Sequence, residues 1–329
     1  MKVFVTGGTG FIGTHLVRRL LQDGHTVHCL VRSLQKGAEI EKAGAKLFVG
    51  DVTDKASINP GMQDCDWVAH LAGVYSFWEP DKSIYRNVNV DGTRNVMECC
   101  LENKVKKVIY VSTVAVWGKP DKEPFDEETP VGPVRFCEYG KTKYEGELIA
   151  WEMHAKHGLP LVIIYPAAVI GPGDTRATGR YFRMLINKKL PFRVFSESKL
   201  SFVYVGDVAE AINQALKKQD SAGQRYIIAA EIMSIKEISK IVAQLKKIRL
   251  PLLSLPDFIV LSASWVLTEM ANLLKRPPFW DLSKEQALTM ANGFNASGHR
   301  ARTALGVHFM NIRHALKEFI ENDSVDSRK

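Results

Sequence analysis

A tyrosine and a lysine four positions apart, in Tyr139-Gly-Lys-Thr-Lys143, have the spacing that most clearly suggests chemistry. On a helix this spacing puts the phenol and the ammonium on one face. A phenol is a poor acid–base group near pH 7, and lowering its pKa by about 3 units requires roughly 4 kcal/mol of preferential phenolate stabilisation. A neighbouring cation can supply much of that stabilisation. The spacing alone also fits an amphipathic helix with a surface lysine.

Two hydroxyl residues follow a buried strand upstream of this pair. Residues 108–111 form an apolar run that is followed by Ser112 and Thr113. Thr113 lies 26 positions before Tyr139. A hydroxyl at the carboxyl end of a strand points into the cleft, where it can hydrogen-bond a substrate oxygen. Taken alone, Ser112 and Thr113 are ordinary polar residues at the end of a strand. Beside the Tyr/Lys pair they indicate an acid–base site.

The amino-terminal glycines predict a site for an anionic ligand. Residues 2–6 form an apolar, β-branched run, and residues 11–21 have apolar positions at helical spacing. Gly7 and Gly10 lie between these segments, and Gly13 lies in the first turn of the second. Such a turn presents backbone N–H groups and the positive end of a helix dipole, and it leaves room for a pyrophosphate. The usual dinucleotide fingerprint is G-x-G-x-x-G. Gly7, Gly10 and Gly13 have the spacing G-x-x-G-x-x-G, which is a variant of it. A connector without a ligand is the alternative.

The elements that must position these residues alternate between strand and helix over the first 165 residues. Near-continuous apolar strands predict a parallel sheet covered on both faces, and right-handed crossovers make it a doubly wound Rossmann α/β fold. We expect a dinucleotide-binding domain over 1–165, to which 202–218 returns, and a smaller C-terminal α/β substrate lobe over 166–329. The predicted strands of the first domain are 2–6, 26–31, 46–49, 67–71, 107–112 and 161–165.

Composition and charge argue against several functions. Hydrophobic residues make up 46% of the chain and charged residues 24%, and the net charge of +8 is scattered without interleaved aromatic residues, so we expect no nucleic-acid partner. The five cysteines have no metal-ligand spacing, so no metal site is expected. An odd cysteine count and a first strand that begins at Lys2 predict a cytoplasmic protein without a targeting segment.

The apolar segment 252–274 has two interpretations. It contains no 18 uninterrupted apolar residues, so we expect no helix that spans a bilayer. It could pack in the core of the small lobe. Alternatively, because Lys275-Arg276 follows it, it could make a peripheral contact with a membrane and deliver a lipid-like substrate.

Taken together, an ordered set of motifs resembles the extended short-chain dehydrogenase/reductase superfamily, of the epimerase/dehydratase type. The resemblance runs from Met1 to about Asp207 and weakens towards Gly306. Its motifs are Thr6-Gly-Gly-Thr-Gly-Phe-Ile-Gly13, Gly50-Asp51-Val52, His70-Leu-Ala-Gly73, Asn87-Val-Asn-Val-Asp-Gly-Thr93, Ser112-Thr113, Tyr139/Lys143, Tyr165-Pro-Ala-Ala-Val-Ile-Gly-Pro-Gly173 and Phe202-Val-Tyr-Val-Gly-Asp207.

The resemblance implies roles for the residues that could do chemistry. Tyr139 would be the general acid/base, and Lys143 would lower its pKa and hold the nicotinamide ribose. Thr113 matches the hydroxyl that orients the substrate, with Ser112 as the second choice. Asn89 would support the cleft. The remaining positions implied to bind the cofactor are Gly7, Thr9, Gly10, Phe11, Ile12, Asp51, Val52, Leu71, Ala72, Gly73, Pro166, Ala167 and Val169.

Arg32 bears on which dinucleotide is used. It follows the second strand, where an acidic residue normally accepts the ribose hydroxyls and an arginine can hold a 2′-phosphate. No Asp or Glu occurs from position 26 to 38, and Lys36 lies close by. This favours NADP(H). If Arg32 instead stacks on the adenine, NAD(H) is possible as well.

The substrate is expected to be hydrophobic. Members that act on nucleotide-sugars usually carry arginines where this chain has Tyr165 and Leu200, so a diphosphate grip is missing. The chain looks most like the branch of dihydroflavonol-reductase-like, 3β-hydroxysteroid-dehydrogenase-like and farnesol-dehydrogenase-like proteins. The candidate walls of the substrate pocket are Tyr75, Phe77, Trp78, Phe136, Tyr181 and Phe202.

The resemblance therefore implies an oxidoreductase that transfers a hydride between nicotinamide and a carbonyl or alcohol of a terpenoid, steroid or flavonoid-like substrate. The alternatives are a sugar epimerase or dehydratase with retained NAD, and a non-catalytic NADP(H) sensor. The family often dimerises through helices corresponding to 91–102 and 139–157, so a homodimer is expected by resemblance.

Overall fold

The computed structural model describes residues 1–326. The strands are β1 (Lys2–Thr6), β2 (Thr26–Val31), β3 (Lys46–Val49), β4 (Trp67–His70), β5 (Lys107–Val111), β6 (Leu161–Pro166), β7 (Ala168–Ile170), β8 (Lys199–Tyr204), β9 (Arg225–Ile228) and β10 (Glu231–Ser234). The helices are α1 (Phe11–Gln22), α2 (Leu34–Lys42), α3 (Lys55–Met62), α4 (Ser83–Arg86), α5 (Gly92–Glu102), α6 (Glu138–His157), α7 (Ala177–Ile186), α8 (Val205–Lys217), α9 (Ile235–Lys246), α10 (Asp257–Leu274), α11 (Lys284–Asn292), α12 (His299–Leu305) and α13 (Ile312–Asp326).

A seven-stranded parallel sheet in the order β3-β2-β1-β4-β5-β6-β9 forms the main layer. The strands of its centre are apolar and buried because helices cover both faces, as the near-continuous hydrophobic runs predict. The predicted doubly wound α/β fold is confirmed. The strand order reverses between β1 and β4, and in such sheets the crevice outside the carboxyl ends of those strands is the ligand site.

A second, three-stranded sheet in the order β10-β8-β7 builds the smaller lobe. The segment 202–218, predicted to return to the main domain, is divided between the two layers. Its helix α8 packs on α1 of the main domain, whereas its first residues form the end of β8 in the small sheet. The main sheet also takes β9 from the second half of the chain. The chain therefore passes between the two layers several times, which places residues of the lobe over the end of the main sheet.

The helix α10 lies on the lobe with most of its surface exposed. Only 17% of its residues are buried, and its mean hydropathy is 1.3, so by length and composition alone it could cross a membrane. A count of uninterrupted apolar residues does not predict this, because serines, a threonine, a glutamate and an asparagine interrupt the run. The helix packs on α11.

Candidate active site

The glycine loop leaves the start of α1 without a side-chain cap. Gly10 occupies the cap position, no hydrogen bond from a side chain satisfies it, and the first turn has no acidic residue. The loop is closed tightly: Gly7 has a φ of +72°, and a Cβ there would lie 2.7 Å from the Ala72 nitrogen. A Cβ on Gly13 would collide with the Gly7 carbonyl oxygen. Uncapped N–H groups at a helix dipole fit an anionic pyrophosphate.

Three further residues predicted to bind the cofactor are Arg32, Asp51 and Val52. Arg32 directly follows β2 and is exposed, and within residues 1–326 its side chain has no hydrogen bond or ion pair. The Asp51 carboxylate is used locally, because it accepts hydrogen bonds of 2.9 Å from the backbone and hydroxyl of Thr53. Val52 is buried, and the Asn95 amide donates to its carbonyl. The side chain of Asp51 and the backbone of Val52 are thus held by hydrogen bonds within the protein.

Tyr139 lies in the first turn of α6 and reaches the end of β5. Burial raises the pKa of its phenol, and a hydrogen bond with Thr113 opposes that shift. Thr113 Oγ1 accepts a hydrogen bond from the Ala115 N–H at 3.3 Å, so its own proton is directed to another acceptor. The ring of Tyr75 packs against Tyr139 edge-on, with 5.0 Å between the ring centroids. Of the two hydroxyl residues that follow β5, Thr113 is the one beside the phenol.

The direction of the Tyr139 pKa shift differs from the sequence-based expectation of a lowered value. The cause is desolvation, which disfavours the phenolate more than the surrounding groups favour it. The phenol is accordingly protonated at neutral pH. This is the form in which a tyrosine gives a proton to a developing alkoxide.

Lys143 is buried one turn further along α6, at the same face as Tyr139. Its ammonium lies 4.1 Å from the centroid of the Tyr110 ring, and the Tyr110 hydroxyl donates to the Lys143 carbonyl at 3.2 Å. Burial lowers the pKa of Lys143 to about 7, and the charge of Glu147 opposes this shift. The lysine therefore changes its charge close to neutral pH.

Glu147 is a residue of this face that the sequence reading did not identify. It is buried, and it accepts hydrogen bonds from Ser112 (3.1 Å), Tyr165 (2.6 Å) and Trp151 (3.4 Å). Burial raises the pKa of its carboxyl group. Ser112 thus donates its proton to Glu147 and not to the cleft, which corrects its prediction as an alternative catalytic hydroxyl. The available signal was a third residue at helical spacing, since Tyr139, Lys143 and Glu147 are each four positions apart.

A π-helical stretch at Asn87–Asp91, between α4 and α5, brings Asn89 into the same region. Asn89 Oδ1 accepts from the Val74 N–H at 2.8 Å, and its Nδ2 donates to Thr142 Oγ1 at 3.0 Å. Asn89 therefore joins the loop after β4 to α6. A Cβ on Gly73 would lie 3.1 Å from Asn89 Oδ1 and 3.9 Å from Lys143 Nζ, so this glycine keeps the approach to the lysine open.

One cavity of about 540 Å³ connects the glycine loop to the small lobe. It brings together most of the predicted residues: Gly7, Gly10, Phe11, Ile12, Leu71, Gly73, Tyr75, Phe77, Ser112, Thr113, Tyr139, Lys143, Pro166, Ala167, Val169, Tyr181 and Phe202. Leu200, which stands where related enzymes carry an arginine by resemblance, also lines it. The end nearest the lobe is mainly apolar.

Several predicted residues lie outside this cavity. Trp78 was expected to be a pocket wall, but its indole N–H donates to Asn272 of α10 at 3.0 Å. Phe136 packs on Phe294, with ring centroids 6.2 Å apart. Thr9 is exposed, and the Ala72 N–H donates to the Thr6 hydroxyl oxygen. The cavity is not lined by Trp78, Phe136, Thr9 or Ala72, although Phe294, on which Phe136 packs, does line it.

Residues far along the chain from Tyr139 also line the cavity, and the sequence did not predict them. Arg176 and Arg180 enter from the loop before α7 and its first turn, and Ile259, Val260, Ala263, Leu267, Leu282, Gln286, Thr289 and Met290 come from the region of α10 and α11. Glu285 also accepts a hydrogen bond from the Glu138 N–H at 2.9 Å, so α11 binds the start of the helix that carries Tyr139. No local pattern signals these contacts. Within residues 1–326, no three His, Cys, Asp or Glu side chains are grouped to hold a metal ion.

Comparison with known proteins gives the same fold and related enzymes. The NAD dependent epimerase/dehydratase family matches residues 3–229. The "Putative dihydroflavonol 4-reductase" of Synechocystis sp. is 30% identical over 325 residues, covering 96% of this chain and 93% of that protein. Sterol demethylase protein B of Methylococcus capsulatus is 28% identical over 261 residues, 78% of each chain. The crystal structure of gox2253 has a TM-score of 0.84 and 29% identity, covering 99% of this chain and 98% of the other.

Proposed function

This chain belongs to the NAD-dependent epimerase/dehydratase family of extended short-chain dehydrogenases/reductases, and we propose that it is a reductase or alcohol dehydrogenase for a hydrophobic carbonyl or alcohol substrate. The family supports NAD(P)-dependent oxidoreductase or epimerase activity. The observation that carries the narrower proposal is the cavity itself, in which the Tyr139–Thr113 pair is continuous with an apolar pocket.

The residues present fit a nicotinamide dinucleotide. The uncapped start of α1 would hold the pyrophosphate, Lys143 would face the nicotinamide ribose, and Pro166 and Val169 would border the ring. When bound, the nicotinamide would supply or accept the hydride. The exposed guanidinium of Arg32 has no partner in residues 1–326 and is free to bind a 2′-phosphate, so we favour NADP(H).

Tyr139 and Thr113 divide the proton chemistry in the reducing direction. The Thr113 hydroxyl hydrogen-bonds the substrate oxygen, and the buried phenol of Tyr139, which is protonated at neutral pH, gives its proton to that oxygen as negative charge develops there. In the oxidising direction Tyr139 takes the proton back. The cationic form of Lys143, one turn away, favours the phenolate that remains.

The apolar end of the cavity supports a hydrophobic substrate over a nucleotide-sugar. Phe202, Leu200 and Met290 offer hydrocarbon surface, and contact with such surface contributes about 25 cal/mol per Å² that is removed from water. A diphosphate would need cationic partners, and Arg180, one of the two arginines that line the cavity, is already paired with Asp281. The name of sterol demethylase protein B, a relative, also concerns a sterol, which is consistent with this substrate class.

Two measurements test the proposal. In a screen of hydrophobic ketones with NADPH, Tyr139→Phe should reduce turnover at least about 100-fold while cofactor affinity changes little, because the phenol acts on the substrate oxygen. Tyr144→Phe on the same helix is the matched control and should retain turnover. Equal turnover of Tyr139→Phe and the wild type would refute the assignment.

Cofactor preference is measured by titrating the protein with NADPH and NADH while following nicotinamide fluorescence. We expect tighter binding of NADPH, and we expect Arg32→Ala to remove that preference. Arg94→Ala, at an exposed arginine on α5, should leave it unchanged. NAD that co-purifies and does not exchange would instead support the epimerase alternative.

A further inference from the structure

The helix α10 has its large apolar side chains on the outside. The buried positions are Val260, Ser264 and Ala271, two of which are small, whereas the bulky residues are exposed. Phe258 is 70% exposed, Trp265 54% and Leu273 83%. A helix that only covers the core of a soluble lobe has the opposite arrangement. The outer face is therefore built to meet something apolar.

Both segments that flank the helix also carry exposed apolar side chains. Leu252 and Leu253 precede the helix and are 93% and 65% exposed, and Phe279 and Trp280 follow it with 65% and 50% exposed. Isolated exposed apolar residues are common on protein surfaces, but a cluster at one element and at both of its ends marks an interaction site. We name α10 with these two pairs of residues the apolar platform.

We propose that the apolar platform docks on the surface of an anionic lipid bilayer, with α10 lying in the interface and not crossing it. Charge complementarity favours lipid as the occupant: residues 246–276 carry five lysines and arginines against two carboxylates. Lys275 and Arg276 directly follow the helix and are exposed. Tryptophans are enriched at membrane interfaces, and Trp265 and Trp280 supply two. Basic residues beside an apolar face are the pattern of interfacial helices.

The contacts of α10 with the rest of the protein explain why it would lie flat on a bilayer. Trp78 donates to Asn272 near its end, and the Lys284 N–H donates to Thr268 at 2.7 Å. Val260 packs in a small core with Phe195. The helix is thus attached along its length, and an 18-residue helix of about 27 Å would cover the lipid surface side-on.

The opposite side of α10 lines the cavity through Ile259, Val260, Ala263 and Leu267. Ile259 and Trp280 are both exposed and part of the cavity wall, so the cavity reaches the surface at the platform. A hydrophobic substrate could then enter from the lipid without crossing water. This entry route rests on the proposed function, whereas docking by itself does not.

The test is co-sedimentation of the full chain with phosphatidylcholine vesicles, with and without 30% phosphatidylglycerol. We expect the wild type to bind the anionic vesicles, and Trp265→Glu to lower the partition coefficient at least tenfold. Val134→Ser, at an apolar residue 53% exposed elsewhere, is the control and should bind like the wild type. Lys275→Glu/Arg276→Glu should lose the preference for anionic vesicles, whereas Lys42→Glu/Lys122→Glu, with the same net charge, should keep it.

Wild-type protein that stays in the supernatant with both vesicles would overturn the proposal. A dimer in sedimentation velocity that Trp265→Glu dissociates, without vesicle binding, would assign the platform to a second copy of the chain and also overturn it. Turnover of a water-soluble ketone without vesicles separates the two proposals, because Trp265 faces away from the cavity and Trp265→Glu should retain this activity. Docking without any turnover would refute the proposed function alone, and turnover without docking would refute the platform alone.

Discussion

Replacing Glu147 by glutamine tests whether the third residue on the active face of α6 positions the other two. The carboxylate accepts from Ser112, Tyr165 and Trp151 inside the protein. An amide keeps one acceptor oxygen, so Glu147→Gln should lower the free energy of unfolding at pH 7 by about 1–2 kcal/mol. Glu147→Ala leaves all three donors unpaired and should cost at least about 3 kcal/mol.

The assay is urea unfolding at pH 5 and pH 7. Because burial raises the pKa of Glu147, the folded chain keeps this proton to a higher pH than the unfolded chain. The contribution of Glu147 to the free energy of unfolding therefore falls as pH rises from about 4.5 through the raised pKa. The loss of unfolding free energy caused by Glu147→Gln should consequently be smaller at pH 7 than at pH 5. The control Glu152→Gln, at an exposed ion pair on the same helix, should lower the free energy of unfolding by under about 0.5 kcal/mol at both pH values.

The pH dependence of activity distinguishes a role of Glu147 in positioning the active site from a purely structural role. The charge of Glu147 opposes the lowering of the Lys143 pKa, so its removal should shift the alkaline limb of the pH–rate profile to lower pH. A Glu147→Gln penalty that grows between pH 5 and pH 7, together with an unmoved pH–rate profile, would refute this account of the residue.

Two further predictions concern the lysine and the glycine loop. Lys143 has a folded pKa of about 7, below its ordinary 10.5, so the unfolded chain binds more protons between these values and stability should rise with pH there. Lys143→Met should remove up to about 1.4 kcal/mol per pH unit of this slope in the free energy of unfolding. Lys141→Met, at an exposed neighbour, should not change the slope. Urea unfolding at pH 7.5 and pH 9 would check both expectations. Gly13→Ala should abolish dinucleotide binding measured by fluorescence, because its Cβ meets the Gly7 carbonyl, whereas binding that stays within twofold of the wild type would contradict the tight closure of the loop.

The amino-acid sequence by itself determined the parts of this protein that depend on short-range pattern. Short, near-continuous hydrophobic runs predict buried strands, and β1, β2 and β3 have the bounds that those runs indicate. The glycines at the start of α1 and the spacing of Tyr139 and Lys143 are likewise local, because a turn and a helix relate residues a few positions apart.

The tertiary structure decided what depends on distant chain segments. Whether Ser112 or Thr113 faces the cleft follows from the position of Glu147 on another element, which takes the proton of Ser112. Trp78 was predicted at the substrate but binds α10, 194 positions away. The outward apolar face of α10 also follows from packing, since periodicity gives a helix its faces and only the neighbouring elements decide which of them is covered.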